Sequence, residues 1–245
     1  MTDNMTRQPM RPLAIIFDMD GLMIDSERHY REVQIEMGRK RGVKLSPEIF
    51  GHMMGRTPIE SLRVLKEELH LDDSAEDLLA ERTALMREHM RHDVALMPGL
   101  RECLDAFHGR IPMAVATGSQ REFLMIIAER FDLARYFATT VTADDVERGK
   151  PGPEVYDNTA RRLGVPQDRC VVLEDAENGC IAAKRAGCYC IAVPSPWTGT
   201  QDFSVADYVA EDLLDAKTHI ERMMNPSGSP PQPRRDDEKE EGKRP

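Results

Sequence analysis

The sequence predicts an α/β protein: a parallel sheet covered by helices on both faces, with a helical bundle inserted after the first strand. Three observations predict it. Short apolar runs alternate with helical periodicity from residue 97 onward, the pattern of a parallel sheet. The stretch from about Ser26 to Asp93 has helical spacing and no convincing strand. Four of the apolar runs are followed by carboxylates, hydroxyls, small residues or a lysine, where open parallel sheets bind their ligands.

Residues 1–11 read as a flexible start. "LAIIF" (13–17) is a short apolar run suited to a buried strand. In the helical stretch, Ser46 before Pro47 makes an N-cap with proline at the first helical position. Ile59, Leu62, Leu65 and Leu69 then recur at helical spacing, and Ser74 with Asp77 forms a capping box for a further helix. "MPGL" (97–100) returns the chain to alternation. Strands are expected at 111–117, 138–143, 170–174, 188–193 and 208–210. Helices are expected at 121–133, 152–164 and 178–187, with Gly164 and Gly187 at the ends of the last two. The tail, 225–245, is rich in proline and charge without an apolar anchor and reads as disordered.

The chain has 245 residues, 40% of them hydrophobic, a net charge of -10 and a mean hydropathy of -0.50. That is enough apolar material for a sizeable core, and the acidic balance argues against non-specific nucleic-acid binding. No apolar run approaches the roughly 18–20 residues of a membrane helix, so no membrane span is expected. The polar N-terminus shows no secretory pattern, which points to the cytoplasm. Cys103, Cys170, Cys180, Cys188 and Cys190 are then expected as reduced thiols; Cys188 and Cys190 alternate along a strand rather than form a metal or redox pair. His89 and His92 share a helix face among charged residues and read as part of a solvated surface.

The strand ends carry the chemistry. After the first run come Asp18, Asp20 and Gly21; after the second, Thr117, Gly118 and Ser119. Asp144 and Asp145 follow the third, with Lys150 and Pro151 beyond, and Glu174, Asp175, Asn178 and Gly179 close the fourth. Carboxylates, a hydroxyl and one lysine at neighbouring strand ends suit magnesium and phosphate. A carboxylate can accept a phosphoryl group, a second acid can protonate the leaving group, and cations hold the phosphoryl oxygens. Asp144 and Asp145 are expected to cap the loop.

"DMDGLMIDSE", "VATGS", "GKPGPEVY" and "VVLEDAENGCIAAKRAGC" together resemble the four motifs of the haloacid dehalogenase superfamily of phosphotransferases, in that family's order. The resemblance covers residues 13 to about 195. It implies a Rossmann-like core (12–24 and 95–224) and a helical cap (25–94), as in the subgroup of beta-phosphoglucomutase and many small-molecule phosphatases. It implies Asp18 as nucleophile and Asp20 as general acid/base, Thr117, Gly118 and Lys150 around the phosphoryl group, and Mg²⁺ held by Asp18, the Asp20 carbonyl, Glu174 and Asp175. Arg56, Glu27 and Arg121 are candidate substrate contacts.

The activity implied is Mg²⁺-dependent hydrolysis of a small phosphomonoester (a sugar phosphate, nucleotide or related metabolite) through an aspartyl phosphate, by a monomer. The alternative is a hexose-phosphate mutase. Tyr30 stands where mutases of the subgroup carry a cap histidine, and Pro58 where they carry an arginine, so the phosphatase is preferred.

Overall fold

The computed structural model describes residues 10–53 and 58–225. Residues 1–9 of the expected flexible start and 226–245 of the expected disordered tail lie outside the described residues. Met10 packs against the core, and the Arg11 carbonyl accepts a hydrogen bond from Arg169 Nε at 3.0 Å.

Six strands form one parallel sheet: β1 (Ala14–Phe17), β2 (Met113–Ala116), β3 (Thr139–Val141), β4 (Cys170–Glu174), β5 (Tyr189–Ala192) and β6 (Tyr208–Val209), in the order β3-β2-β1-β4-β5-β6. The central strands β1, β2 and β4 are buried throughout, which is why they read as continuous apolar runs. The period of two sorts their side chains. Ile15, Phe17, Val171, Leu173 and Ile191 enter one core; Ala14, Ile16, Val172, Cys190 and Ala116 enter the other. All five cysteines are buried and free.

Between β1 and β2 the chain forms α1 (Glu27–Lys40), α2 (Pro47–Met53), α3 (Pro58–Leu69) and α4 (Ala75–His92). Ser74 caps α4, its hydroxyl accepting the Asp77 N–H at 3.0 Å. Val33, Met37, Leu62, Leu65, Leu78, Met86 and Met90 bury one stripe of these helices in the larger core. Each such side chain stabilises the fold by about 1.5–3 kcal/mol relative to exposure. His92 lies on the solvated face as expected, but His89 does not. It turns toward His29 of α1, ring centroids 4.9 Å apart.

The remaining helices are α5 (Leu100–Phe107), α6 (Arg121–Arg130), α7 (Glu154–Leu163), α8 (Glu177–Arg185) and α9 (Leu213–Met224). Gly164 ends α7 in the left-handed region, at φ 67°. The structure adds α5 and α9 to the helices expected from sequence. They pack together on the larger core through Leu100, Leu104, Leu213, Ala216 and Ile220, with Asp212 capping α9 by accepting the N–H groups of Leu214 and Asp215.

Candidate active site

Register builds the site. Phe17 lies opposite Leu173 on one side and Val115 on the other, so the residues that follow β1, β2 and β4 emerge side by side. The Asp18 N–H still pairs with the Leu173 carbonyl at 3.0 Å, and the Thr117 N–H with that of Val141 at 3.0 Å. Both side chains therefore leave the sheet from fixed backbone.

Asp18, Glu174 and Asp175 are buried, and one oxygen of each lies within 4.8 Å of the others. Lys150 reaches in from the loop before α7. Its ammonium donates to Asp18 Oδ1 and Glu174 Oε1, both at 2.5 Å, and to the Ala116 carbonyl at 3.3 Å. The Tyr156 hydroxyl of α7 donates to the same Glu174 oxygen. Glu174 is thus the anchor of Lys150, while Asp175 stands against the turn at Gly21. Gly21 has φ 78°, and a Cβ there would sit 2.1 Å from Asp175 Oδ2. A Cβ on Gly179 would fall 2.0 Å from Glu174 Cδ. These two glycines let backbone close around the acidic pair.

Asp20 stands two residues beyond Asp18. Its Oδ2 accepts the Ser119 hydroxyl at 2.6 Å and the Thr117 hydroxyl at 3.3 Å. Its Oδ1 is buried without a hydrogen-bond partner. Above these groups opens a cleft of about 320 Å³, lined on the core side by Asp18, Asp20, Gly118 and Lys150 and on the helical side by Glu27, Arg31 and Arg82.

The electrostatics follow from burial. Desolvation raises the Asp18 and Asp175 carboxyls well above their usual values, and the neighbouring carboxylates add to it; Lys150 opposes the rise at both. Burial works against the Lys150 ammonium, but Asp18 and Glu174 outweigh it and hold its pKa above the ordinary value. Burial, then the charge of Asp20, pushes Glu27 up to about 7. Three buried carboxylates share one ammonium, so the donor set carries an excess of negative charge. An oxygen-loving divalent cation fits that excess.

Asp18, Asp20, Thr117, Gly118, Lys150, Glu174 and Asp175 are therefore brought together, with Glu27 on the same cleft. Arg56 lies outside the described residues. Arg121 is not in the cleft; it pairs with Asp145, which also binds Arg162 at 2.8 Å and the Thr142 N–H at 2.9 Å. Asp144 accepts the Arg121 N–H at 2.9 Å, so both acids are structural, as expected. Arg31 and Arg82 join the site without any signal in the sequence, because they sit on helices where nothing in their spacing marks them, whereas Tyr156 ends the stretch "GKPGPEVY" that also holds Lys150. Ser119 joins it too, and its place beside Thr117 is a signal that sequence reasoning can use.

An acid-lined cleft at the carboxyl ends of a parallel sheet, with a lysine bridging two of its carboxylates, stands where enzymes of the α/β class bind their ligands. The chain belongs to the family of haloacid dehalogenase-like hydrolases, whose model matches residues 15–193. It is 35% identical over 212 residues to (DL)-glycerol-3-phosphatase 2 of Arabidopsis thaliana, covering 83% of this chain and 88% of that protein. It is 34% identical over 179 residues to a phosphorylated carbohydrates phosphatase of Thermotoga maritima, covering 71% and 81%. The crystal structure of CbbY from Rhodobacter sphaeroides in complex with phosphate superposes with a TM-score of 0.73 at 27% identity, over 82% of this chain and 95% of that one.

Proposed function

We propose that this enzyme is a Mg²⁺-dependent phosphatase of small phosphorylated metabolites, with helices α1 to α4 acting as a cap over the cleft. The observation that carries the reading is the pairing at the end of β1. Asp18 is held by Lys150, and Asp20, on the same side, keeps one buried oxygen unpartnered.

In this reading an Asp18 oxygen attacks phosphorus as the ester P–O bond breaks, leaving the phosphoryl group on Asp18. Asp20 gives its proton to the departing alkoxide and takes one from the water that then attacks phosphorus, releasing phosphate and restoring Asp18. Lys150, the Thr117 hydroxyl and the backbone at Gly118 hold the phosphoryl oxygens in place. Asp18, Asp175 and the Asp20 carbonyl would hold Mg²⁺, with Glu174 placing Lys150 beside it. The ion supplies positive charge that offsets the dianion's repulsion from the acidic cluster.

A phosphorylated polyol or sugar is the first candidate substrate. The relatives at 34–35% identity are named for glycerol 3-phosphate and phosphorylated carbohydrates, and the cleft volume suits a small ligand. Phosphate release from glycerol phosphates, hexose phosphates and nucleotides, with and without Mg²⁺, tests the reading beside Asp18→Asn. Release that needs both Mg²⁺ and Asp18 is expected. Isomerisation of a hexose phosphate without free phosphate would instead make the enzyme a mutase.

A further inference from the structure

His29, in the first turn of α1, and His89, in the last turn of α4, face each other with ring planes 34° apart. The side chain of His29 is 4% exposed, and Nδ1 of each ring is buried without a hydrogen-bond partner. Carboxylates come near but not in line. Glu32 Oε2 is 3.2 Å from His29 Nδ1, and Asp93 Oδ2 is 2.9 Å from His89 Nδ1, neither with the direction of a hydrogen bond. One donor atom from each of His29, Glu32 and His89 lies within 4.8 Å of the other two. Buried polar nitrogens without partners are uncommon and call for a physical reason.

The donor types supply one. Two imidazoles and a carboxylate are the ligand set of a borderline transition ion and a poor one for Mg²⁺, which prefers oxygen. The partly exposed Glu32 and Asp93 leave the cluster open to an entering ion and to a water as fourth ligand.

We propose that His29, Glu32 and His89 form a second metal site, selective for Zn²⁺-like ions and separate from the oxygen-lined cluster at Asp18. Its position gives it a consequence. α1 begins just after the loop that leaves β1, and α4 ends just before the segment that returns to the core. The two connections are paired there: the Asp25 N–H donates to the Ala95 carbonyl at 3.0 Å, and the Met97 N–H to that of Met23 at 2.9 Å. An ion shared by α1 and α4 joins the helical insert across its base.

The test uses the full chain in excess Mg²⁺, which fills the oxygen-lined cluster. Zn²⁺ is titrated by calorimetry, Co²⁺ by visible absorption, and melting temperature is followed with and without Zn²⁺. One equivalent of Zn²⁺ per chain is expected, raising the melting temperature, with imidazole-type Co²⁺ bands. Affinity falls at least tenfold in His89→Gln and in Glu32→Gln, and stays unchanged in His92→Gln, whose side chain is 68% exposed on the same helix. Glu32 is 46% exposed, so its variant folds even if loss of His89 disturbs the helix pair. Absence of Zn²⁺ binding above the Mg²⁺ background would overturn the proposal. So would binding that survives Glu32→Gln and His89→Gln unchanged, which assigns the ion to other groups.

Discussion

Lys150 Nζ lies 2.5 Å from Asp18 Oδ1, and the same ammonium lies 2.5 Å from Glu174 Oε1. One partly buried cation therefore joins the end of β1 to the end of β4. It holds Asp18 in a fixed orientation and, in the proposed mechanism, stands where a phosphoryl oxygen would arrive. Removing it strips a preorganised charge from a water-poor site, a change that costs about 10²–10³ in kcat when a comparable donor is lost elsewhere. Lys150→Met is expected to lower kcat/KM on a glycerol or hexose phosphate by about that factor. Lys150→Arg is expected to recover little, because a planar fork cannot occupy the position of an ammonium between two carboxylates and the Ala116 carbonyl. Steady-state kinetics decide it, and activity within threefold of wild type for Lys150→Met would remove the lysine from the chemistry.

In the proposed mechanism Asp20 separates the two halves of the reaction. Ser119 and Thr117 hold one oxygen, and the other is left for a proton. Asp20→Asn keeps those contacts possible but has no proton to give an alkoxide. Turnover of an alkyl phosphate is expected to fall by about 10²–10⁴, the usual range for a general acid. Formation of the phosphorylated enzyme from p-nitrophenyl phosphate, whose phenolate departs without a proton, is expected to fall far less. A single-turnover burst of p-nitrophenolate measures it, and equal losses with both substrates would deny Asp20 the acid role.

How much of this is legible in the sequence depends on which element carries the residue. Asp18, Asp20, Thr117, Glu174 and Asp175 stand at the ends of apolar runs, and a parallel sheet brings such positions together whatever the helices do, while Lys150 comes in from the longer loop after β3. The register of Phe17 against Leu173 then sets the spacing. Tyr156 and Arg82 reach the site from helices, through packing that spacing alone does not reveal. Arg121 shows the converse. It follows a strand end in sequence, yet Asp145 captures it. His89 departs from its expected solvated face because helical periodicity places it beside His92 without revealing that α1 covers it. Helix α9 is within reach of the sequence, since Leu213, Ala216 and Ile220 keep helical spacing after a capping Asp212.

Stability of the metal-free protein is expected to fall as pH rises from about 5 to 8. Asp18, Asp175 and Glu27 all have folded-state pKa values raised above their unfolded ones, Glu27 to about 7. Between the two values the folded chain binds more protons than the unfolded chain, so the slope of unfolding free energy with pH is negative. The stability is fully present below the unfolded pKa and is lost as pH rises through the folded one. Glu27→Gln removes one contributor. Thermal melts in chelator should show it gaining on wild type by about 2 kcal/mol between pH 5 and pH 8. That figure takes about 1.4 kcal/mol for each pH unit separating the folded and unfolded values, discounted for partial exposure. Parallel curves would place the Glu27 pKa near that of an ordinary carboxylate. Adding Mg²⁺ should stabilise more at pH 8 than at pH 5, since the ion binds the deprotonated carboxyls.

Gly179 offers a test of the acidic pair that leaves every charged group in place. It lies in α8, so alanine suits its backbone, and the penalty comes only from the Cβ that would fall 2.0 Å from Glu174 Cδ. Glu174 is 1% exposed and holds both Lys150 and Tyr156, so it cannot swing aside without releasing them. Overpacking of this kind costs about 1–3 kcal/mol, and here the strain falls on the support of Lys150. Gly179→Ala is expected to lower kcat by at least tenfold while the protein remains folded. Gly118→Ala is the control, because a Cβ there meets no atom within 4 Å, and its melting temperature should stay near wild type. Thermal melts on the two variants and steady-state kinetics on Gly179→Ala separate the effects. If Gly179→Ala lost stability but kept full kcat, the Glu174–Lys150 contact would be a structural tie alone, and the rate would depend on Lys150 and Asp18 without the support of Glu174.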